Sequence, residues 1–534
     1  MTLANTKSLR LFIGLALIVM AGLHFWIHRP FYWVWIIVAV VFLISAVPRR
    51  HLVSAVIVFF VFVFAAIHLK SYIRIGSQYD GFQNLWDSGE NLVGAYTIAT
   101  RGIYSINLED PQPTTRREPL YPLVLAGFWK MLGAIDSNGV QFSWTGKNVD
   151  HLKFLNVAIL ACITVISAHF VFRQTGRPLL SLIAAGLLLF NGPLIESAHT
   201  LLTEVPAALI LLLISIVIFR YLERTRNANW ITALGIGVLC GALFFIKTVY
   251  LFMIPLVMLL LLFPGPPEFR QRFRASLIVG MCAIVLLVPW FVRNYFVCGN
   301  LFPADRSAEM TITRALYDAM SPEEYRLLFV VWTPGAGKFL LPKDNPSAWQ
   351  RTIGGGYDGI NREAYARIID PYFGQYDALP NASYEQSVYL RLQQQGLQQI
   401  ANNISGYLRL SVAFVYRSLF IDDGRALRMI GFAMAKENGG YGEMADCLSC
   451  ALLFNLPEWA MFFFLICVAI VRRRWALLGL VLPVAYTVFS YSFLAFSTPR
   501  YIQPVVPSLV IILALGIDIV LSRLELRLDQ SAIL

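Results

Sequence analysis

The sequence predicts an all-α polytopic membrane protein with about 12 transmembrane helices and two long extracytoplasmic loops. Three observations predict it. Over 534 residues, 57% are hydrophobic and only 14% are charged, well outside the balance of soluble domains. Apolar runs of roughly 20 residues recur along the chain, each long enough to cross a bilayer as a helix. The Lys and Arg behind the net charge of +11 stand mainly in short clusters between those runs. That placement is the signature of membrane topology and argues against nucleic-acid binding.

Taken in order, the first runs cover residues 11–28, 31–47 and 52–69. Lys7 and Arg10 precede the first of them as in a secretory signal, but no small-residue cleavage site followed by a soluble domain comes after it, so it reads as a retained helix. Six more runs cover residues 152–172, 178–194, 201–221, 230–245, 250–263 and 275–292, and the last three cover 448–471, 475–493 and 502–521. Arg49 and Arg50, Arg173 and Arg177, Arg220 with Arg224 and Arg226, Arg270 to Arg274, Arg472 to Arg474, and Arg523 with Arg527 then share the cytoplasmic side. An even number of spans puts both termini there, and places loops 70–150 and 293–447 outside.

The resulting organisation is two additional N-terminal helices (1–51), a transmembrane core (52–292) containing the first loop, a second loop or cap (293–447), and C-terminal helices with a cytoplasmic tail (448–534). The apolar stretch 120–135 is short, contains Lys130 and would invert the arginine pattern if it crossed. It is expected at the membrane surface, with Pro119 and Pro122 at its start. Residues 407–420, with Arg409 and Arg417, read as interfacial in the same way. Residues 384–403 are Gln- and Asn-rich helical sequence, and Gly and Pro punctuate 334–359. No repeat of fixed short period and no low-complexity tract is visible.

Several local motifs are weak. TPGAGKF around Lys338 resembles a phosphate-binding loop, but Trp332 stands where the first Gly belongs and no Ser or Thr follows Lys338. Cys447 and Cys450 form a CxxC without a second one to complete a zinc site, so a local disulfide or two free thiols remain open. Cys162, Cys240, Cys282 and Cys467 lie within spans as small apolar residues. His199 and Glu204 have poor metal-ligand spacing, and polar capping suits them better. Asn381 and Asn403 fall in N-x-S triplets too common to decide a compartment.

The informative set is the ionisable residues that this topology gathers on the outer face. Asp80 and Glu118 lie in the first loop, Glu204 opens a span in LLTEVPAALI, and Lys247 closes one in GALFFIKTVYL. Arg293 closes another in PWFVRNYFVCGNLFP, and Arg500 opens the last in STPRYIQPVVPSLV. Any one could be a snorkelling anchor. Three cations together on the side where Lys and Arg are normally depleted point to an anionic ligand.

The same residues carry a resemblance. An outer-loop YDG, R-E-P-L-Y-P before an interfacial helix, T-E-V-P opening a span, P-W-F-V-R-N-Y followed by G-N-L-F-P, and a late P-R-Y-I-Q-P-V-V-P together resemble the GT-C membrane glycosyltransferases. Within that superfamily the pattern is similar to the dolichyl-phosphate-mannose mannosyltransferase-like group (family 39), which contains protein O-mannosyltransferases and lipid A aminoarabinose transferases. The likeness runs from Leu52 to Leu521.

It implies an integral-membrane enzyme that moves a sugar from a polyprenyl-phosphate donor to an acceptor hydroxyl at the extracytoplasmic face, with inversion. Asp80 then takes the part of general base, with Glu118 as the second candidate, kept ionised by the neighbouring Arg117. Lys247, Arg293 and Arg500 correspond to the groups that hold the lipid phosphate, and Arg117, Tyr121, Glu204 and Tyr501 to substrate-binding positions. Partners are the lipid-linked sugar, a protein, lipid or glycan acceptor, and membrane lipids. A monophosphate leaving group can draw its countercharge from side chains, so neither a metal nor a cofactor is expected.

The sequence differs from the family pattern in three places. Gly81 stands where a second acidic residue is usual, Arg117, Glu118 and Pro119 replace a K-P-P or H-P-P motif, and two extra spans precede the core. With short cytoplasmic connections and no endoplasmic-reticulum retrieval signal, the expected location is a bacterial inner membrane. The competing readings are a secondary transporter or lipid flippase, which would carry its charges near the midplane between short loops, and a noncatalytic membrane assembly subunit.

Overall fold

The computed structural model describes residues 86–109, 111–115, 117–131, 147–223, 230–262, 268–301, 322–333, 382–421, 441–494 and 499–531. The predicted spans 11–28, 31–47 and 52–69, Asp80, Lys338 and the Gly/Pro-rich stretch 334–359 lie outside the described residues, as do the side chains of Cys447 and Cys450.

Every regular element among the described residues is helical. The first loop contributes α1 (Trp86–Arg101) and α2 (Leu120–Met131). The core follows with α3 (Lys147–Thr175), α4 (Pro178–Leu189), α5 (Gly192–His199), α6 (Glu204–Glu223), α7 (Trp230–Phe244), a short 3₁₀ turn (Thr248–Phe252), α8 (Met253–Leu262) and α9 (Phe269–Cys298). The second loop contributes α10 (Pro322–Trp332), α11 (Ala382–Asn402) and α12 (Ile404–Ser418). The chain closes with α13 (Tyr441–Val471), α14 (Leu478–Phe489), the four-residue α15 (Pro499–Ile502) and α16 (Val506–Ser531).

Five segments are long and apolar enough to cross a membrane: Leu152–Thr175, Glu204–Glu223, Phe269–Cys298, Trp475–Leu494 and Arg500–Glu525. They correspond to five of the predicted spans, and the protein is an integral membrane protein by this measure. The predicted span 178–194 is instead a pair, α4 and α5, bent by 58°. Asn191 causes the break: its side chain accepts the Leu194 N–H at 2.9 Å and starts a new helix with a proline in its first turn. Counting the pair as one span makes six. Predicted spans 230–245, 250–263 and 448–471 appear as the shorter apolar helices Trp230–Phe244, Thr248–Leu262 and Asn455–Val471. The two stretches expected at the surface are helices of 12 and 15 residues.

Helix α6 is the hub. Its residues Val205, Ala207, Ala208, Leu211, Leu212, Ile214 and Ile218 are all buried, and it packs on α3, α7, α14 and α16. Gly479 lets α14 touch it backbone to backbone, since a Cβ there would stand 2.7 Å from the Phe219 amide nitrogen. Inside this contact zone Ser215 and Ser508 share a hydrogen bond of 3.2 Å, which satisfies two hydroxyls that lipid and core could not. Helix α9 is peripheral. Met281, Ile284, Val285, Val288 and Phe296 are exposed along it, as expected of a surface solvated by lipid tails.

Helix α16 gives the bundle two distinguishable ends. Near its C-terminus Arg177 bonds Asp518 at 2.7 Å and Glu525 through two contacts of 3.0 and 2.8 Å. Its N-terminal neighbour Arg500 meets Glu204, at the start of α6. At 1.5 Å per residue, the stretch from Val506 to Glu525 separates these ends by about 30 Å.

The second loop folds over the end that carries Arg500. Tyr407 donates to the Phe493 carbonyl, the Ile421 N–H donates to Asn455 at 2.7 Å, and Gln503 donates to the Ile421 carbonyl at 2.8 Å. The stacked pair Trp332 and Phe414, 5.5 Å apart, joins α10 to α12 beneath it.

Candidate functional site

At the Arg500 end, six ionisable side chains from five segments form one alternating chain. Asp87 and Glu90 are three apart on α1 and so share a face. Arg117 reaches both, through Nη2 to Asp87 and Nε to Glu90. Arg500 donates from Nη2 to the other Asp87 oxygen, and its Nε lies 3.3 Å from Glu204 Oε1. Lys247 Nζ lies 3.1 Å from that same oxygen. Among the described residues the order is therefore Glu90, Arg117, Asp87, Arg500, Glu204, Lys247, acid and base alternating. Buried charge persists only when matched in this way. Glu204 is 1% exposed and Arg500 30%, the most open of the six.

Local structure presents each member. Lys247 sits in an extended conformation between α7 and the following 3₁₀ turn, its N–H bonded to the Leu243 carbonyl at 2.9 Å. Glu204 occupies the first turn of α6, where a negative charge is favoured by the helix dipole. The turn before it is strained, because Leu201 has φ 51, a left-handed value rare for a branched apolar residue. Helix α1 holds that turn: Ser88 donates to the Thr200 carbonyl, and Asn91 donates to the Leu201 carbonyl at 3.2 Å. The helix that supplies Asp87 and Glu90 thus also fixes the position of Glu204.

A second group adjoins the chain. Glu118 Oε1 accepts the Thr248 N–H at 2.9 Å and its hydroxyl at 3.1 Å. It has no cationic partner among the described residues. Arg293 Nη1 donates to the Thr114 carbonyl at 2.7 Å and to Asn294 at 3.1 Å, and the guanidinium lies 4.7 Å from the Trp290 ring centroid. It has no carboxylate partner among the described residues. Between this acid and this cation stands Tyr104, which donates to the Glu118 carbonyl at 3.3 Å and lies 6.3 Å from Trp290. Burial pushes the Tyr104 phenol well above its ordinary pKa, and the Glu118 charge adds to that, so it stays protonated and serves as a donor.

Tyr121, in the first turn of α2, is 1% exposed and packed with Leu92, Leu152 and Leu201. Its hydroxyl, both polar atoms of Asn156, and Glu204 Oε2 are buried without hydrogen-bond partners among the described residues. Burial raises the Tyr121 phenol, with the Glu204 charge adding. Tyr501 stacks on Tyr491 at 4.8 Å and carries Lys247 at 5.3 Å and Arg500 at 5.0 Å from its ring centroid.

The structure therefore brings Arg117, Glu118, Tyr121, Glu204, Lys247, Arg293, Arg500 and Tyr501 to one end of the bundle. Asp80 lies outside the described residues. Two expectations change. Arg117 does not neutralise Glu118, since its guanidinium is committed to Asp87 and Glu90. The cations are also not a bare positive surface, because Lys247 and Arg500 both answer Glu204. Sequence reasoning missed Asp87, Glu90, Tyr104, Asn156, Thr248 and Trp290. For the first two a signal existed: acids three apart at the head of an amphipathic stretch, followed at once by Asn91. Among the described residues no group of three His, Cys, Asp or Glu is arranged to hold a metal ion.

A family model described as Domain of unknown function (DUF8201) matches residues 134–308. That segment takes in α3 to α9 with Glu204, Lys247 and Arg293, and leaves out α1, Arg117, Glu118 and Arg500. No curated protein matches the chain.

Proposed function

We propose that this protein is a GT-C-like glycosyltransferase of about 12 spans with two extracytoplasmic loops, which transfers a sugar from a polyprenyl phosphate to an acceptor hydroxyl. One observation carries the reading: Glu118, with no cationic partner among the described residues, and Arg293, with no carboxylate partner among them, flank Tyr104 beside an alternating ion-pair chain at a helix-end site. Inverting transfer needs such a pair. The acceptor oxygen bonds the anomeric carbon as the bond from that carbon to the phosphate oxygen breaks. The hydroxyl proton passes to a carboxylate, and the polyprenyl phosphate departs with its added negative charge.

Asp80 is the base by family resemblance, and Glu118 is the second candidate, held by the Thr248 N–H and hydroxyl with no cation on it among the described residues. Arg293 holds the phosphate, with Lys247 and Arg500 adjoining. Tyr121, Glu204, Tyr501 and Arg117 shape the substrate site. The countercharge comes from side chains, so the reaction needs no metal and no cofactor. The site belongs on the periplasmic face of a bacterial inner membrane. A helix-end location favours this reading over a transporter, whose charges gather near the midplane.

Mass spectrometry of lipid extracts from cells lacking the protein tests it. A polyprenyl-phosphate sugar should accumulate, and an unchanged lipid-linked sugar profile would sink the reading. Cysteine labelling should find positions 293 and 500 on the side opposite 173 and 473, and labelling of all four from one side would overturn the orientation.

A further inference from the structure

Among the described residues, departure of Arg500 leaves every carboxylate of the chain still paired with a cation. Arg117 would stay on Asp87 and Glu90, and Lys247 would stay on Glu204. Departure of Lys247 would likewise leave Glu204 with Arg500, so exposure is what singles Arg500 out. Arg500 is the most exposed member, at 30%, against 11% for Arg117 and Lys247. Its two carboxylates differ. Glu204 is 1% exposed in the first turn of α6, whereas Asp87 is 16% exposed in the first turn of a loop helix.

We propose that Asp87 is a positioning residue that parks Arg500, and that the phosphate of a polyprenyl-phosphate ligand displaces Asp87 to take the guanidinium. The inference rests on the transferase reading and extends it. A sugar-linked phosphodiester carries one negative charge and the departing monoester nearly two, so Arg500 binds the product phosphate more strongly than the donor. The exchange breaks one carboxylate contact and makes one phosphate contact, with no charge left bare.

The consequence is a sign that a structural role would not give. Binding of decaprenyl phosphate to the purified, detergent-solubilised full chain should tighten about tenfold in Asp87→Asn, as a competing charge worth about 1.4 kcal/mol is removed. It should weaken about tenfold or more in Arg500→Gln. In the double variant the gain should vanish, because it runs through Arg500. Asp87→Ser serves as the second substitution if Asp87→Asn does not yield folded protein. Unchanged or weaker binding in the folded Asp87 variants overturns the proposal, as does a gain that survives Arg500→Gln. Failure of the wild-type chain to bind decaprenyl phosphate at all would instead remove the transferase reading on which it stands.

Discussion

Glu204→Gln is the perturbation whose size the structure sets most directly. Glu204 is 1% exposed and Lys247 11%, with 3.1 Å between Nζ and Oε1. At an effective dielectric of 20 the gross attraction across that gap is about 5 kcal/mol, before desolvation is counted. Removing one partner leaves the other ion buried, which costs about 3–5 kcal/mol, while removing both leaves no ion to solvate. Arg500 would still have Asp87. The prediction is a double-mutant cycle: Glu204→Gln destabilises by about 3 kcal/mol and Lys247→Met by less, because Arg500 stays on Glu204, and the combined variant is more stable than their sum by at least about 1 kcal/mol. Unfolding of the purified protein in mixed detergent micelles, followed by tryptophan fluorescence, measures all four corners. Losses that add to within about 0.5 kcal/mol would show that the pair is not coupled and refute the reasoning.

Three further outcomes are expected. Arg293→Gln should weaken decaprenyl phosphate binding by about 1.5–3 kcal/mol, the range for hydrogen bonds to charged groups, and equal affinity in a folded variant would discharge Arg293 from the site. Glu118→Gln and Asp80→Asn should separate the two candidate bases: the true base loses about 10² to 10⁴ in turnover at saturating donor, the other far less, and full activity in both discards the proposed proton transfer. Gly479→Ala should destabilise by about 1–3 kcal/mol because its methyl meets the backbone of Phe219 rather than a movable side chain, and a neutral result in the same unfolding assay would contradict the helix contact.

The long spans were legible because a run of apolar residues is sufficient reason for a helix in lipid, and α3, α6, α9, α14 and α16 appear close to where hydropathy placed them. The break between α4 and α5 was also written in the chain, as Asn191, Gly192 and Pro193, but a window that averages hydropathy passes over a capping residue. In the site, charge at the unexpected end of a span picked out Lys247, Arg293 and Arg500. The same rule could not see Asp87 and Glu90, since acids in an aqueous loop violate nothing. Partners were the least legible part: Arg500 and Asp87 are 413 residues apart, and only the packing of α15 and α1 against the start of α6 unites them. Arg117 was matched to Glu118 by adjacency, yet successive side chains diverge, and Glu118 turned to Thr248 instead.

The measurement closest to the central claim is release of polyprenyl phosphate by the purified protein in lipid nanodiscs, supplied with polyprenyl-phosphate sugars and candidate acceptors. The account predicts one carrier released for each acceptor glycosylated, with both products lost together in Glu118→Gln or Asp80→Asn and in Arg293→Gln. Movement of the intact lipid-linked sugar across the bilayer in proteoliposomes, with no carrier released under any donor and acceptor pairing, would contradict it.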